Sequence, residues 1–208
     1  MNLLLIDEPW GHTPWLVQAC RDHGIAVTVA VAPSGMARCR TLGVPTIALP
    51  ADAAQQAAAL TAIVATGAFD RLQPVSERLM QLCAGTPALR AITLFPVEAA
   101  HLPLLADRRP MLDLVASLGI DVPPRCAVPR VDDLAGVAAR LGWPLVLRGG
   151  QGTGAAQVHI ERSLGSARLA WQALQAQSGG EPYAQGFVDG RIVIVGALCH
   201  AGEVVRAV

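Results

Sequence analysis

The stretch WPLVLRGGQGTGAAQVHI (residues 143–160) decides how the rest of the chain is read. It begins as a short apolar run ending in Arg148, continues through Gly149, Gly150, Gly152 and Gly154, and turns apolar and β-branched again. That pattern predicts a strand, a glycine-rich turn and a second strand. Glycines in such a turn let backbone N–H groups crowd around an anion, which makes it a candidate phosphate loop. It carries neither common phosphate signature. No Gly-Lys-Ser/Thr follows, as a P-loop needs, and the element after it is a strand where the dinucleotide fingerprint needs a helix. The competing reading is an ordinary glycine-rich hairpin. Arg148 likewise either points its guanidinium into a cleft or is a solvated strand-end cation; its place at the end of an apolar strand favours the first.

Around this loop the chain is unusual in having no lysine: all 16 of its Lys+Arg residues are arginine. With alanine and leucine dominant, this reflects overall composition more than site chemistry. The formal net charge is zero and neither half is strongly basic, which argues against nucleic acid or an anionic membrane as the main partner. Hydrophobic residues make up 52% of the 208, in short periodic runs with none approaching the roughly 18 unbroken apolar residues of a membrane span. MNLLLID is too short for a secretory signal core, and a cytoplasmic location is expected. Five scattered cysteines without a Cys-x-x-Cys predict reduced thiols, with neither a disulfide framework nor a metal site.

Upstream of the loop, strand-like and helix-like segments alternate. NLLLI (2–6), IAVTVAVA (25–32), PTIALP (45–50), FDRLQPV (69–75) and AITL (91–94) are the expected strands. Helices are expected after Pro14, from Asp52 as N-cap, and from Glu77. Such alternation predicts an open parallel sheet with helices on both faces and ligands at the strands' carboxyl ends. After Pro103 the rhythm changes to an amphipathic helix (107–118), a proline-rich connection, a helix at 131–141, the glycine loop between two strands, a helix at 163–177, a strand PYAQGFV and a terminal hairpin turning at His200 to Gly202. A domain boundary is placed near residue 104. The apolar ending predicts a fragment of a longer protein.

Four stretches, in order, resemble motifs of the ATP-grasp enzymes, most of all the branch related to the large subunit of carbamoyl-phosphate synthase and to carboxylate–amine ligases. FDRLQPVSERL (69–79) is similar to that branch's strand followed by Pro-x-Ser-Glu. LADRRPMLDLVASLGIDVPP (105–124) resembles its helix that begins Asp-Lys and ends Gly-Ile-x-Val-Pro. LGWPLVLRGGQGTGAAQVHIERS (141–163) resembles its strand and glycine loop, and PYAQGFVDG (182–190) the hinge strand that pairs with adenine. The resemblance covers the whole chain and implies an α/β fold: a Rossmann-like pre-ATP-grasp domain (1–103), the small lid part of the grasp domain (104–190), and the first hairpin of a large part whose remainder is missing (191–208).

It also implies a site. ATP would be the cofactor, with Arg108 and Arg148 standing where the family has two phosphate-steering lysines. The backbone of Gly149, Gly150, Gly152 and Gly154 would close over the phosphates, and Gln185, Gly186, Phe187 and Val188 would frame the adenine. Arg109, one position along, offers the same charge as Arg108. Three departures stand out: arginine for both lysines, Gly186 where an acidic residue is common, and Ile192 where many members hold the ribose with glutamate. The magnesium ligands of the family lie beyond Val208, so Mg2+ is expected only with the missing C-terminal part. A small carboxylate substrate would lie near Asp7, Glu8, Ser76 and Glu77, though Ser76 and Glu77 are equally explained as a helix N-cap and first-turn acid. His12, in the loop after the first strand, has no metal-ligand spacing. The implied activity is ATP-dependent activation of a carboxylate as an acyl phosphate for attack by an amine, with this chain alone inactive. The alternative is a degenerate, non-catalytic ATP-grasp-like binding module. An exposed apolar hairpin would favour self-association into a homo-oligomer.

Overall fold

Strand β1 (Asn2–Asp7) is buried along all but its first residue, so both of its faces must be covered. It pairs in parallel with β2 (Ala26–Val31) on one side and β4 (Arg71–Pro74) on the other, and β3 (Thr46–Ala48) adds to β2 to give the order β3-β2-β1-β4. Helices α1 (Thr13–Asp22), α2 (Met36–Arg40), α3 (Ala53–Ala65), α4 (Glu77–Gly85) and α5 (Pro87–Arg90) alternate with these strands. Alternate residues of β1 therefore enter two separate cores. Leu4 and Ile6 join Leu60, Leu72, Leu79 and Leu89 on one face; Leu3 and Leu5 join Val17, Val29, Val31 and Cys39 on the other. Each fully buried leucine contributes about 1.5–3 kcal/mol of burial. This is the parallel sheet with helices on both faces that the alternation predicts.

The structure is a computed structural model that describes residues 1–8, 12–102, 104, 107–150, 157–177, 181–200 and 202–207. Its chain divides into two compact units, Met1–Ile120 and a second that starts at Asp121. Helix α6 (Arg108–Ser117) falls with the first; the boundary read from sequence near 104 lies upstream of this division. One expected strand is corrected: residues 91–94 form only an isolated parallel bridge between Thr93 and Leu72. The reason is local. Thr93 still spends its backbone N–H and its hydroxyl on the Leu89 carbonyl, at 3.1 and 2.9 Å, as the chain winds out of α5.

In the second unit an antiparallel sheet has the order β5-β8-β6-β7, made of β5 (Arg125–Ala127), β6 (Leu145–Arg148), β7 (Val158–Glu161) and β8 (Tyr183–Gly186). Helices α7 (Leu134–Leu141) and α8 (Leu164–Gln177) cover one face through Leu134, Val137, Ala167 and Leu174, packed on Leu145, Leu147 and Ala184. Trp171 donates its indole N–H to the Val128 carbonyl at 2.8 Å, tying α8 to the residue that follows β5. The terminal hairpin is β9 (Ala197–His200) with β10 (Glu203–Ala207), turning where the sequence predicts; residues 191–196 ahead of it carry no strand.

Two buried thiols give a pH signature. Burial, with the Asp7 carboxylate beside it, pushes Cys39 from the ordinary 9.0 up to about 12, and burial pushes Cys83 up to about 11. Both folded-state values are raised, so the folded chain keeps protons that the unfolded chain has lost. Their stabilisation is fully present below pH 9 and is lost as pH rises towards 11 and 12, at up to about 1.4 kcal/mol per pH unit per thiol. The absence of lysine and the single tyrosine keep that window clear of most competing groups. Urea unfolding across pH 8–11 is expected to show this fall, and replacing Cys39 and Cys83 with alanine to flatten it.

Candidate functional site

The second unit's sheet presents its non-helical face through strand register. Arg125 and Val146 are each paired with Gln185, and Arg148 with Tyr183. Directly paired residues share a face, so these side chains stand together opposite Leu145, Leu147 and Ala184. Arg148 Nη1 donates to Gln185 Oε1 at 3.3 Å, and Gln185 is 5% exposed. The guanidinium of Arg148 thus lies along the neighbouring strand, a fixed cation where the glycine loop begins. The base of that loop is closed by Gly149 N–H donating to the Gln157 carbonyl at 3.0 Å, and Gly150 is buried. Gly152 and Gly154 lie outside the described residues. Phe187 and Val188 follow the end of β8, both exposed. Arg125 was not singled out by sequence reasoning; only the β5–β8 register sets it against Gln185.

In the first unit the predicted residues at the strand ends form a different kind of cluster. Asp7 ends β1 with its carboxylate fully enclosed. It accepts hydrogen bonds from the Thr13 hydroxyl, from Arg38 Nη2 and from Cys39 Sγ at 3.1 Å. It therefore ties β1 to α1 and α2. Glu8, next along, accepts from Arg78 Nε through its carboxylate and from Arg38 Nη2 through its backbone carbonyl at 3.0 Å. Arg78 also donates to Gln56 Oε1 at 2.9 Å. Ser76 caps α4 by accepting from Leu79 N–H at 3.2 Å, and Glu77 sits in its first turn, as expected from the capping chemistry. Arg38 and Arg78 escaped the sequence reading, since an arginine on a short helix has no signal distinguishing it from a solvated one.

Arg108 and Arg109 differ in their local partners. Asp107 caps α6, and Arg109 closes on it with Nη2 at 2.6 Å and its backbone N–H at 2.9 Å. Burial opposes the charge of Asp107, but these hydrogen bonds and the Arg109 charge outweigh it and hold the carboxyl below its ordinary range. Arg109 is thereby committed to the cap. Arg108 makes no side-chain hydrogen bond to the described residues. His12 stacks at a tilt on Trp15, with ring centroids 5.9 Å apart. Among the described residues no three His, Cys, Asp or Glu side chains gather as a metal-ligand set, and no helix is long and apolar enough to cross a membrane.

No protein-family model and no curated protein matches the sequence. Solved structures do match. The biotin carboxylase domain dimer of Hydrogenobacter thermophilus 2-oxoglutarate carboxylase, in complex with MgADP, ADP and bicarbonate, is 13% identical with a TM-score of 0.68, over 90% of this chain and 44% of that one. N5-carboxyaminoimidazole synthetase from Staphylococcus aureus, complexed with ADP, is 18% identical with a TM-score of 0.68, over 90% of this chain and 48% of the other. L-amino acid ligase from Bacillus licheniformis is 18% identical with a TM-score of 0.68, over 91% and 44%. These are ATP-grasp carboxylate–amine ligases. The chain has the fold of the N-terminal part of an ATP-grasp enzyme. It spans about half the length of the structures it matches.

Within the ATP-grasp fold, one departure noted in the sequence, Gly186, lies in a tight steric setting. A Cβ at Gly186 would lie 3.1 Å from Pro124 Cγ and 3.8 Å from the Leu141 carbonyl, and the Gly186 N–H donates to the Pro124 carbonyl at 2.8 Å. The proline-rich connection runs close enough to β8 that a side chain there would require Pro124 to shift by a few tenths of an ångström. Gly186→Glu is expected to cost about 1–3 kcal/mol, as overpacking does, measured by chemical denaturation. The second departure, Ile192, is 88% exposed, on a segment where Val193, Ile194 and Val195 are exposed as well.

Proposed function

We propose that this chain is the nucleotide-binding portion of an ATP-grasp ligase that activates a carboxylate for attack by an amine or similar nucleophile. The observation that carries the reading is Arg148: a cation at the mouth of the glycine loop, on the face of the antiparallel sheet that the helices leave, and oriented by buried Gln185. Residues 1–103 would be the pre-ATP-grasp domain, 104–190 the lid, and 191–208 the first hairpin of the larger part. The residues present suit ATP. Arg148 and Arg108 supply positive charge for the phosphates, the backbone of Gly149 and Gly150 can approach them closely, and Gln185 to Val188 would frame the base. In phosphoryl transfer the protein's share is mostly positioning and charge neutralisation. Magnesium would be held by carboxylates outside this chain. The exposed Ile192, which cannot accept a ribose hydroxyl's hydrogen bond, favours the second reading, a non-catalytic ATP-grasp-like module. Calorimetric titration with ATP and ADP, with and without magnesium, tests the first: saturable heat supports a nucleotide site, and a folded chain that gives none rejects it.

A further inference from the structure

We propose that the outer edge of β5 binds a short peptide with free termini, laid antiparallel to the strand in a groove against α7. β5 is an edge strand of the second unit's sheet, paired on one side only, with β8. Gly186 N–H donates to the Pro124 carbonyl and Val128 N–H to the Pro182 carbonyl, so residues 124, 126 and 128 turn their backbone groups towards β8. Antiparallel alternation then turns the N–H and carbonyl of Ala127 outwards. They have no partner among the described residues, and exposed Ala127 lines, with Pro129, a groove of about 630 Å³. Asp132, Gly136, Val137 and Arg140 form the opposite wall, on α7 and the turn before it. A Cβ at Gly136 would meet nothing within 4 Å, so that wall is open where a peptide would pass.

The groove has a direction. The turn at Val131–Asp133 follows the end of β5, and the far end of α7 returns to its start: Pro124 Cγ and the Leu141 carbonyl both lie within 4 Å of a Cβ placed on Gly186. Asp132 therefore stands at one end and Arg140 at the other. The neighbouring Asp133 is already closed on Arg130, whose Nη2 donates to it at 3.0 Å. Among the described residues Asp132 has one ion pair, with Arg168 at 4.0 Å, and exposed Arg140 has none. A strand added antiparallel to β5 starts at the Asp132 end and finishes at the Arg140 end. Its ammonium then meets the acid and its carboxylate the arginine, whereas a parallel strand would bring like charges together. Along the helix the two charges are about 12 Å apart, a span that three or four extended residues cover at about 3.4 Å each. Strand addition bonds backbone to backbone, so the termini and the length are what this groove recognises.

The test follows backbone amide signals of the 15N-labelled full chain by NMR during titration with tetra-alanine, its N-acetylated form and its C-terminal amide. The Ala127 signal is expected to move saturably with tetra-alanine. Blocking either terminus is expected to weaken binding about 2–5-fold, the range of an exposed ion pair. Asp132→Asn is expected to erase the difference between free and acetylated peptide while keeping that between acid and amide, and Arg140→Gln to do the reverse. Gly136→Leu, a change that a helix accepts readily, is expected to fill the groove and abolish the response with the rest of the spectrum intact. A folded chain whose Ala127 signal does not move saturably overturns the site, as does a peptide blocked at both ends that binds as tightly as the free one. An exchanged match of variant and terminus overturns the antiparallel placement and the proposal with it. An Ala127 signal that moves with protein concentration alone would put a second copy on this edge, and also overturns it.

Discussion

Arg148→Ala is expected to weaken ATP binding about 10–150-fold, the equivalent of about 1.5–3 kcal/mol for hydrogen bonds to a charged group. The geometry asks much of this one residue. It ends an apolar strand, so its backbone is fixed by two neighbouring strands, and the 3.3 Å bond to Gln185 limits where its guanidinium can point. A phosphate meeting it gains two parallel hydrogen bonds with little ordering left to do. Arg148→Lys keeps the charge and loses the fork, so an intermediate loss is expected. The variant also strips the buried Gln185 of a donor, and a stability loss of about 1 kcal/mol accompanies it. Titration calorimetry and urea unfolding on the same preparations separate the two effects. A folded Arg148→Ala chain that binds ATP as the parent does would make Arg148 a structural residue of the sheet.

Asp7→Ala is expected to destabilise the first unit by about 2–4 kcal/mol. Removing one member of a buried ion pair costs about 3–5 kcal/mol when the other stays enclosed, and the figure is reduced here because the Arg38 side chain is 34% exposed. The carboxylate also satisfies the Thr13 hydroxyl, which is itself buried. Asp7→Asn keeps the shape and an acceptor but not the charge, so a smaller loss is expected. Thr13→Val removes one hydrogen bond, at about 1 kcal/mol. If urea midpoints for Asp7→Ala match the parent, the strand-end cluster does not hold β1 to α1 and α2. Asp7 would then be open to the substrate role that its place after the first strand suggests.

The residues that the sequence singled out divide by how local their chemistry is. Ser76 as a helix cap, Asp52 with its hydrogen bond from Ala54 N–H at 2.9 Å, and Pro14 in the first turn of α1 all follow from partners within a few residues. The alternation of β1 to β4 with helices, the two strands that flank the glycine loop and the hairpin turn are likewise written in short-range periodicity, whereas β5 (Arg125–Ala127) lies in a stretch that reads as a proline-rich connection and becomes a strand only by pairing with β8. Arg148 was legible for the same reason, as a charge closing an apolar strand. Most elements, and through the resemblance the ATP-grasp fold, were within the sequence's reach; the strand expected at 91–94 was not formed.

What lay beyond it depends on partners far apart in the chain. Arg78 meets Glu8 across 70 residues and Arg38 meets Asp7 across 31. Arg125 comes to Gln185 only through the β5–β8 register. The tight setting of Gly186 depends on Pro124, and the closing of Arg109 on the Asp107 cap depends on a rotamer that no spacing encodes. Periodicity says which face of an element turns inwards; it does not say which side chain of another element waits there. Strand pairing and the packing of α2, α3 and α4 at the strand ends settle that, and with it which charges are paired within the fold.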